Sequence, residues 1–123
     1  MAMQTYACTD YGLYVTEDDL SVYAEKNNLK PDYDLILDIG GNFYSGADGE
    51  CKTLKNGFNS TIDIDSDMEF GILPLERSPS LCEKAYESCE EAIQELKTNF
   101  GEYLPDDFDY EQRLVMFVGT VFG

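Results

Sequence analysis

The stretch that most constrains the fold lies between Ser78 and Gly101, where apolar spacing and end residues agree on one helix. Ser78 followed by Pro79 is typical of a helix start, and Gly101 is typical of the residue just past a helix end. Apolar residues recur at steps of three and four: Leu81, Ala85, Cys89, Ala92, Leu96 and Phe100. We therefore predict one long helix over residues 78 to 101 with an apolar face that packs on another layer.

A second face of this helix is acidic. Four glutamates stand at successive i,i+4 positions with no Lys or Arg in the row, and we call them the helix row: Glu83, Glu87, Glu91 and Glu95. Each like-charge neighbour pair on a helix costs roughly 0.2 to 0.5 kcal/mol. The row points to an acidic surface presented on a rigid scaffold.

Composition predicts one folded domain over residues 1 to 123. Hydrophobic residues make up 43% of the chain, with nine Tyr and seven Phe, which is too apolar for a disordered protein. Against this stand 25 Asp plus Glu, eight Lys plus Arg and no His, so the formal charge is -17 and self-repulsion opposes compaction. The sequence shows no secretory signal and no run of 18 apolar residues, so we expect a cytoplasmic protein with reduced thiols and no membrane association.

Three strands and a short helix are predicted from local patterns. Residues 6 to 15 are aromatic and β-branched and favour a strand, and Thr16 with Asp19 forms a capping-box pattern that favours a helix after it. Residues 34 to 39, DLILDI, are predicted to form a buried strand that ends at a glycine turn. Residues 113 to 122, RLVMFVGTVF, are predicted to form a final strand in the middle of a sheet, with both faces covered, and a helix that begins at Asp109 is the alternative.

Residues 60 to 75 alternate between apolar and acidic side chains and predict one amphipathic strand. Its inner face carries Ile62, Ile64, Met68 and Phe70. Its outer face carries four acids, which we call the strand row: Asp63, Asp65, Asp67 and Glu69. Alternate side chains on a strand are about 6.6 Å apart, so these carboxylates are expected to form a straight line of charge. Together these elements predict an α+β domain, in which a mainly antiparallel sheet of about five strands carries two helices on one face.

Acids and aromatics are interleaved over residues 102 to 111, which we call the acidic segment. The side chains expected to contact a partner there are Tyr103, Asp106, Asp107, Phe108, Asp109, Tyr110 and Glu111. Arginine pairs with carboxylates and stacks on aromatic rings, so this mixture suits an arginine-rich groove.

The same residues argue against an enzyme or a cofactor protein. Without His, the usual nucleophilic triads and a mixed Cys and His zinc site are excluded, and we predict no catalytic residue, no metal ligand and no cofactor. The strand row superficially matches a calcium loop, but Met68 stands where that loop needs Gly, and the closing position of the loop holds no Glu. Weak binding of a divalent cation stays open as an alternative.

The acidic rows favour a protein that occupies the nucleic-acid-binding surface of another protein. Duplex DNA presents one charge per about 3.4 Å along each strand, and a rigid row of carboxylates can enter a groove built for such charges. We therefore predict a basic nucleic-acid-binding partner, such as a nuclease or a CRISPR effector, and no direct contact with nucleic acid. The likeness is to phage and mobile-element anti-defence proteins of the anti-CRISPR or anti-restriction type, without any family motif. Alternatives are a non-inhibitory module for a basic partner and an acidic surface that serves only solubility.

Overall fold

Six antiparallel strands form one sheet. The computed structural model describes residues 5–45, 47–54, 60–62, 69–75 and 89–122. The strands are β1 (Thr5–Val15), β2 (Asn42–Tyr44), β3 (Ala47–Thr53), β4 (Thr61–Ile62), β5 (Phe70–Pro74) and β6 (Leu114–Phe122). Their order in the sheet is β2-β5-β1-β6-β3-β4, and each neighbouring pair is antiparallel. The predicted α+β class is confirmed, with six strands instead of about five.

Within the described ranges, four α-helices and two 3-10 turns lie between the strands, where the sequence predicted two helices. The α-helices are α1 (Ser21–Lys26), α2 (Tyr33–Asp38), α3 (Cys89–Phe100) and α4 (Tyr110–Arg113). The 3-10 turns are Glu17–Leu20, which leads into α1, and Gly101–Tyr103, which follows α3.

Strands β1 and β6 form the centre of the sheet. They pair over nine positions, from Thr5 opposite Phe122 to Leu13 opposite Leu114. β-branched and aromatic side chains pack well on a pleated surface, and Leu114, Val115 and Phe117 of β6 are fully buried. Val118 is 46% exposed, so the prediction that both faces of the last strand are covered is wrong at this position. The predictions of a strand near the start of the chain and of a central strand at residues 113 to 122 are confirmed.

The helices pack on one face of the sheet, as predicted. From the sheet, Leu13, Val15 and Leu114 are fully buried in this layer. The helices contribute a larger set of buried apolar side chains, which includes Leu20, Ala24, Ile36, Ala92, Leu96 and Phe100. We call this cluster the helix-side core. Full burial of each large side chain stabilises the fold by about 1.5 to 3 kcal/mol, so this core is a main source of stability.

The opposite face of the sheet carries an aromatic cluster drawn from four strands. Tyr14 and Phe70 stack with ring centroids 5.3 Å apart, and Phe70 meets Phe117 edge to face at 5.3 Å. Tyr44 lies 5.0 Å from Phe117, although β5 and β1 separate their strands in the sheet order. Such a contact between strands that are not neighbours shows that the sheet curls toward this face.

The prediction of a strand at residues 34 to 39 is wrong, because these residues belong to α2. The side chain of Asp32 accepts a hydrogen bond from the backbone N–H of Leu35 at 3.3 Å, which caps the helix start. Leu35 and Ile36 are buried on the helix-side core while Leu37 is half exposed, a division that fits a helical turn. Gly40 then takes a positive φ of 104°, which ends the helix.

The prediction of one strand over residues 60 to 75 is also wrong. Thr61–Ile62 forms the edge strand β4, whereas Phe70–Pro74 forms β5 between β2 and β1. Strands β3, β6 and β1 lie between these two pieces. In β5, residues 70 to 73 are buried on both faces, which an amphipathic strand with an acidic outer face does not allow. Residues 63–68, which join the pieces, lie outside the described part of the chain.

The two predicted helix boundaries that the structure describes are close to the observed ones. The backbone N–H of Thr16 donates to Asp19 Oδ2 at 2.8 Å, so the predicted capping box is confirmed at the start of the 3-10 turn that leads into α1. The long helix ends at Phe100, so Gly101 is the first residue past its end, as predicted. Its predicted first part, residues 78 to 88, lies outside the described residues.

Candidate protein-binding surface

The structure describes only one end of the strand row. Asp63, Asp65 and Asp67 lie outside the described residues, and Glu69 is exposed just before β5. The backbone carbonyl of Glu69 accepts a hydrogen bond from the Tyr33 hydroxyl at 2.5 Å, which ties this residue to α2. Because Asp63, Asp65 and Asp67 lie outside the described residues, the straight line of charge stays a prediction.

The helix row is described at its second half. Glu83 and Glu87 lie outside the described residues. On α3, Glu91 is exposed and Glu95 is half-buried, so only one of the two is fully on the surface. Glu90, which the sequence analysis did not select, is also exposed beside Glu91.

The acidic segment is the predicted site that the structure describes completely. Leu104 and Phe108 are buried in the helix-side core, 7% and 8% exposed, and hold the segment on the protein. The acids between and after them are exposed: Asp106, Asp107, Asp109 and Glu111. The side chain of Asp109 also accepts a hydrogen bond from the backbone N–H of Gln112 at 3.2 Å and so caps α4. The segment therefore presents carboxylates from a backbone that apolar anchors and a helix cap hold in place.

The aromatic side chains of this segment are packed and not free. Tyr103 meets Tyr23 of α1 edge to face at 4.8 Å, and Phe108 meets Tyr110 in the same way at 5.0 Å. Phe108 has little surface to offer a partner, whereas Tyr103 and Tyr110 are half-buried and keep one part of each ring at the surface. Burial raises the pKa of the Tyr110 phenol, and burial together with the neighbouring Glu102 raises the pKa of Tyr103, so both phenols stay neutral near pH 7.

Among the surface grooves that border the acidic segment, two share Asp109 and Glu111. One groove, of about 370 Å³, lies between α3 and the segment, and we call it the helix groove. It is lined by Glu90, Ile93, Gln94, Lys97, Phe108, Asp109, Tyr110 and Glu111. The other, also about 370 Å³, lies between the segment and strands β3 and β4, with Thr53, Thr61 and Gln112 among its lining residues.

Sequence reasoning missed the α3 residues of the helix groove. Glu90, Ile93, Gln94 and Lys97 follow one another at steps of three, one and three, so the helical period places them on one face of α3. The helical period of the sequence alone was enough to predict that these four residues share one face of α3. What it could not show is that this face lies opposite the acidic segment, which depends on packing in the helix-side core.

Arg113 was also not among the predicted site residues. Its guanidinium pairs with Asp19 at 2.9 Å and donates to the backbone carbonyl of Tyr14 at 3.0 Å. It also lies over the rings of Phe108 and Tyr14, at 5.4 Å and 5.8 Å from their centroids. Arg113 therefore links the acidic segment to β1 and to the 3-10 turn before α1, which is a structural role.

Cys8 and Cys51 are held in the thiol form by their surroundings. Burial raises the pKa of the Cys51 thiol to about 12, and burial raises the pKa of Cys8 as well, with a contribution from the nearby Asp10. Both thiols are therefore protonated near pH 7, whereas a nucleophile needs the thiolate. Among the residues that the structure describes, no group of three or more Cys, Asp and Glu is arranged to hold a metal ion.

The fold and this surface together define an antiparallel α+β protein with an exposed, structurally anchored acidic segment. Three comparisons with known proteins give no match, whether to a protein-family model, to a curated protein or to a solved structure. Within the described ranges, none of the helices has both the length and the apolar character that a membrane crossing requires. Function is therefore inferred from the chain's own surface.

Proposed function

We propose that this chain is an acidic inhibitor that binds a basic, nucleic-acid-binding surface of a partner protein and blocks it. The observation that carries the proposal is the acidic segment, where exposed carboxylates stand on a backbone held by Leu104, Phe108 and the α4 cap. A charged chain that is held in shape loses little conformational entropy when it binds, so more of the electrostatic attraction is available for affinity. A solvated acidic tail would lack these anchors.

The charge balance supports a basic partner. The chain carries a formal charge of -17, and the exposed Glu90 of α3 lines a groove together with Asp109 and Glu111 of the acidic segment. Lys97 is the cation that lines the helix groove between them. Complementary potentials of this kind speed the encounter of two proteins and exclude acidic competitors.

Inhibition is the further step of the proposal. A partner surface that attracts rows of carboxylates is one that binds phosphates, so occupation of that surface excludes nucleic acid. We place the chain among anti-defence proteins of the anti-CRISPR or anti-restriction type, acting in the cytoplasm of a bacterial host on a nuclease or CRISPR effector. The second candidate, a non-inhibitory module for a basic protein, shares the charge argument and differs in one outcome only, which is competition with nucleic acid.

The first test uses the pure protein as bait in bacterial lysate, with parallel elution by duplex DNA, by a guide-like RNA and by a salt gradient. We expect a nucleic-acid-binding protein to leave with the nucleic acid and with moderate salt. A partner that leaves with salt but stays bound at any nucleic-acid concentration identifies the non-inhibitory module. The absence of any salt-sensitive partner contradicts the proposal.

A matched pair of triple variants tests the surface. Asp106→Asn, Asp107→Asn and Glu111→Gln neutralise three exposed acids of the segment and leave the capping Asp109 in place. The control neutralises three exposed acids outside the segment: Glu25→Gln, Asp34→Asn and Asp38→Asn. We expect the segment variant to lose roughly tenfold or more in affinity for the captured partner, and the control to lose much less. Equal losses would mean that net charge, and not this surface, drives binding.

A further inference from the structure

The helix groove combines an apolar floor with an acidic rim. Ile93 and Phe108, each 8% exposed, belong to the helix-side core and line the groove together with the half-buried Tyr110 ring. The rim carries exposed polar groups from both sides: Glu90 and Gln94 from α3, and Asp109 and Glu111 from the acidic segment. A ligand that fits must offer a flat or aliphatic body to the floor and positive charge to the rim.

The chain's own Lys97 shows how a cation sits in this groove. Its ammonium nitrogen lies 5.0 Å from the centroid of the Tyr110 ring, within the range of a cation–π contact. Glu90 and Asp109 alone bring two formal negative charges to the lining and Lys97 brings one positive charge, so the groove stays negative with Lys97 in place. A second cation is therefore attracted to the groove.

We propose that the helix groove receives an arginine side chain of the partner, which stacks on Tyr110 in place of Lys97 and pairs with the rim carboxylates. Arginine fits better than lysine for two reasons. Its planar guanidinium stacks on a ring face while its N–H groups, which lie in the guanidinium plane, donate to carboxylates at the edge. It is also less strongly hydrated than an ammonium. Lys97 then acts as a competitor built into the chain. This inference rests on the proposed function for the basic nature of the partner.

The test needs no partner protein. The ¹⁵N-labelled full chain is titrated with N-acetyl-arginine amide and followed by its amide and side-chain resonances, with N-acetyl-citrulline amide as the uncharged probe of the same shape. We expect saturable shifts at Gln94, Lys97 and Tyr110 with the arginine probe and much smaller shifts with citrulline. Equal shifts with both probes, or shifts spread over all acidic residues without saturation, overturn the proposal.

Two pairs of variants complete the test. Lys97→Met removes the internal cation and keeps helix propensity, and we expect it to bind the arginine probe roughly threefold to tenfold more tightly. Lys30→Met removes the same charge at an exposed position that does not line the groove, and it should leave the affinity within about twofold. Asp109→Asn keeps a capping side chain and should weaken the probe roughly threefold, whereas Asp34→Asn should not. Equal effects of Lys97→Met and Lys30→Met would overturn the role of Lys97.

The outcomes separate this proposal from the function on which it rests. If DNA displaces a captured partner but the arginine probe leaves the helix groove unperturbed, the groove proposal fails and the proposed function stands. If the probe binds in the groove but no partner competes with nucleic acid, the proposed function fails and the groove remains an arginine site.

Discussion

Replacement of Arg113 by Met should cost this protein about 3 kcal/mol of folding free energy. The side chain of Arg113 is 30% exposed and that of Asp19 is 13% exposed, so their ion pair is largely shielded from water. Met replaces Arg113 with an unbranched apolar side chain and removes the charge that lies over the Phe108 ring. The variant leaves the Asp19 carboxylate without its cation and the Tyr14 carbonyl without this donor.

The magnitude follows from these two losses. A hydrogen bond to a charged group contributes about 1.5 to 3 kcal/mol, and an ordinary hydrogen bond contributes about 1 kcal/mol. Asp19 keeps its hydrogen bond from the Thr16 N–H at 2.8 Å, so the free energy lost at the Asp19 carboxylate should fall in the lower half of the range for a charged group. The sum is about 3 kcal/mol, a large fraction of the stability of a small domain.

Urea denaturation followed by tyrosine fluorescence and far-UV circular dichroism measures this change, and a double-mutant cycle isolates the pair. The second variant is Asp19→Asn, which keeps an acceptor for the Thr16 N–H. The change in unfolding free energy that Asp19→Asn causes is measured in the native chain and again in the Arg113→Met variant, and the difference between the two changes reports the ion pair alone. We expect a coupling free energy of about 1 to 2 kcal/mol. A total loss below about 1 kcal/mol, or a coupling of zero, would refute the view that Arg113 joins the acidic segment to β1.

Three further predictions concern stability. Thr53→Val should stabilise the fold by about 1 kcal/mol in urea denaturation, because the buried Thr53 hydroxyl has no hydrogen-bond partner in the described part of the chain; a loss would mean that it has one. Gly71→Ala should cost about 2 kcal/mol in the same assay, because a Cβ there would lie 2.7 Å from Ile36 Cγ2; a loss under about 0.5 kcal/mol would show that Ile36 moves aside freely. Burial raises the pKa of Tyr14 from 10.0 and that of Cys51 from 9.0, each to about 12. Both folded-state pKa values exceed the unfolded ones, so the stability that comes from keeping these two groups protonated is present below pH 9 and is lost as the pH rises toward 12. Thermal unfolding midpoints should therefore fall between pH 9 and 12, and they should fall less steeply in Tyr14→Phe. A flat profile would contradict the burial argument.

Local sequence patterns correctly predicted those helices and strands whose secondary structure is determined by residues close together in sequence. The last strand was found because its residues are β-branched and aromatic throughout, and the start of the first helix was found because Thr16 and Asp19 lie three residues apart. The prediction for residues 34 to 39 was wrong because the apolar residues of DLILDI fit the two-residue period of a strand and one turn of a helix equally well. The Asp32 cap and Gly40 decide between them, and both lie outside the six-residue pattern.

The same local patterns could not predict the order of strands in the sheet or contacts between residues that are distant in sequence. The alternation of residues 60 to 75 runs through two strands that the sheet places at different positions, with three strands between them. Asp19 and Arg113 are 94 residues apart, and no local rule pairs them. For the candidate site, the sequence located the acidic segment by its charge, but the helix groove exists only because α3 and that segment share one core.

Salt dependence separates recognition from solvation in this protein. Mutual repulsion within a chain of charge -17 opposes folding, and salt screens it, so folding stability should rise with ionic strength. Attraction between the acidic segment and a basic partner is screened by the same salt, so affinity should fall over the same range. An acidic surface that serves only solubility shows the first trend alone. Because the segment triple variant removes three negative charges, it should weaken both trends, whereas its control triple should weaken the first and leave the second nearly unchanged.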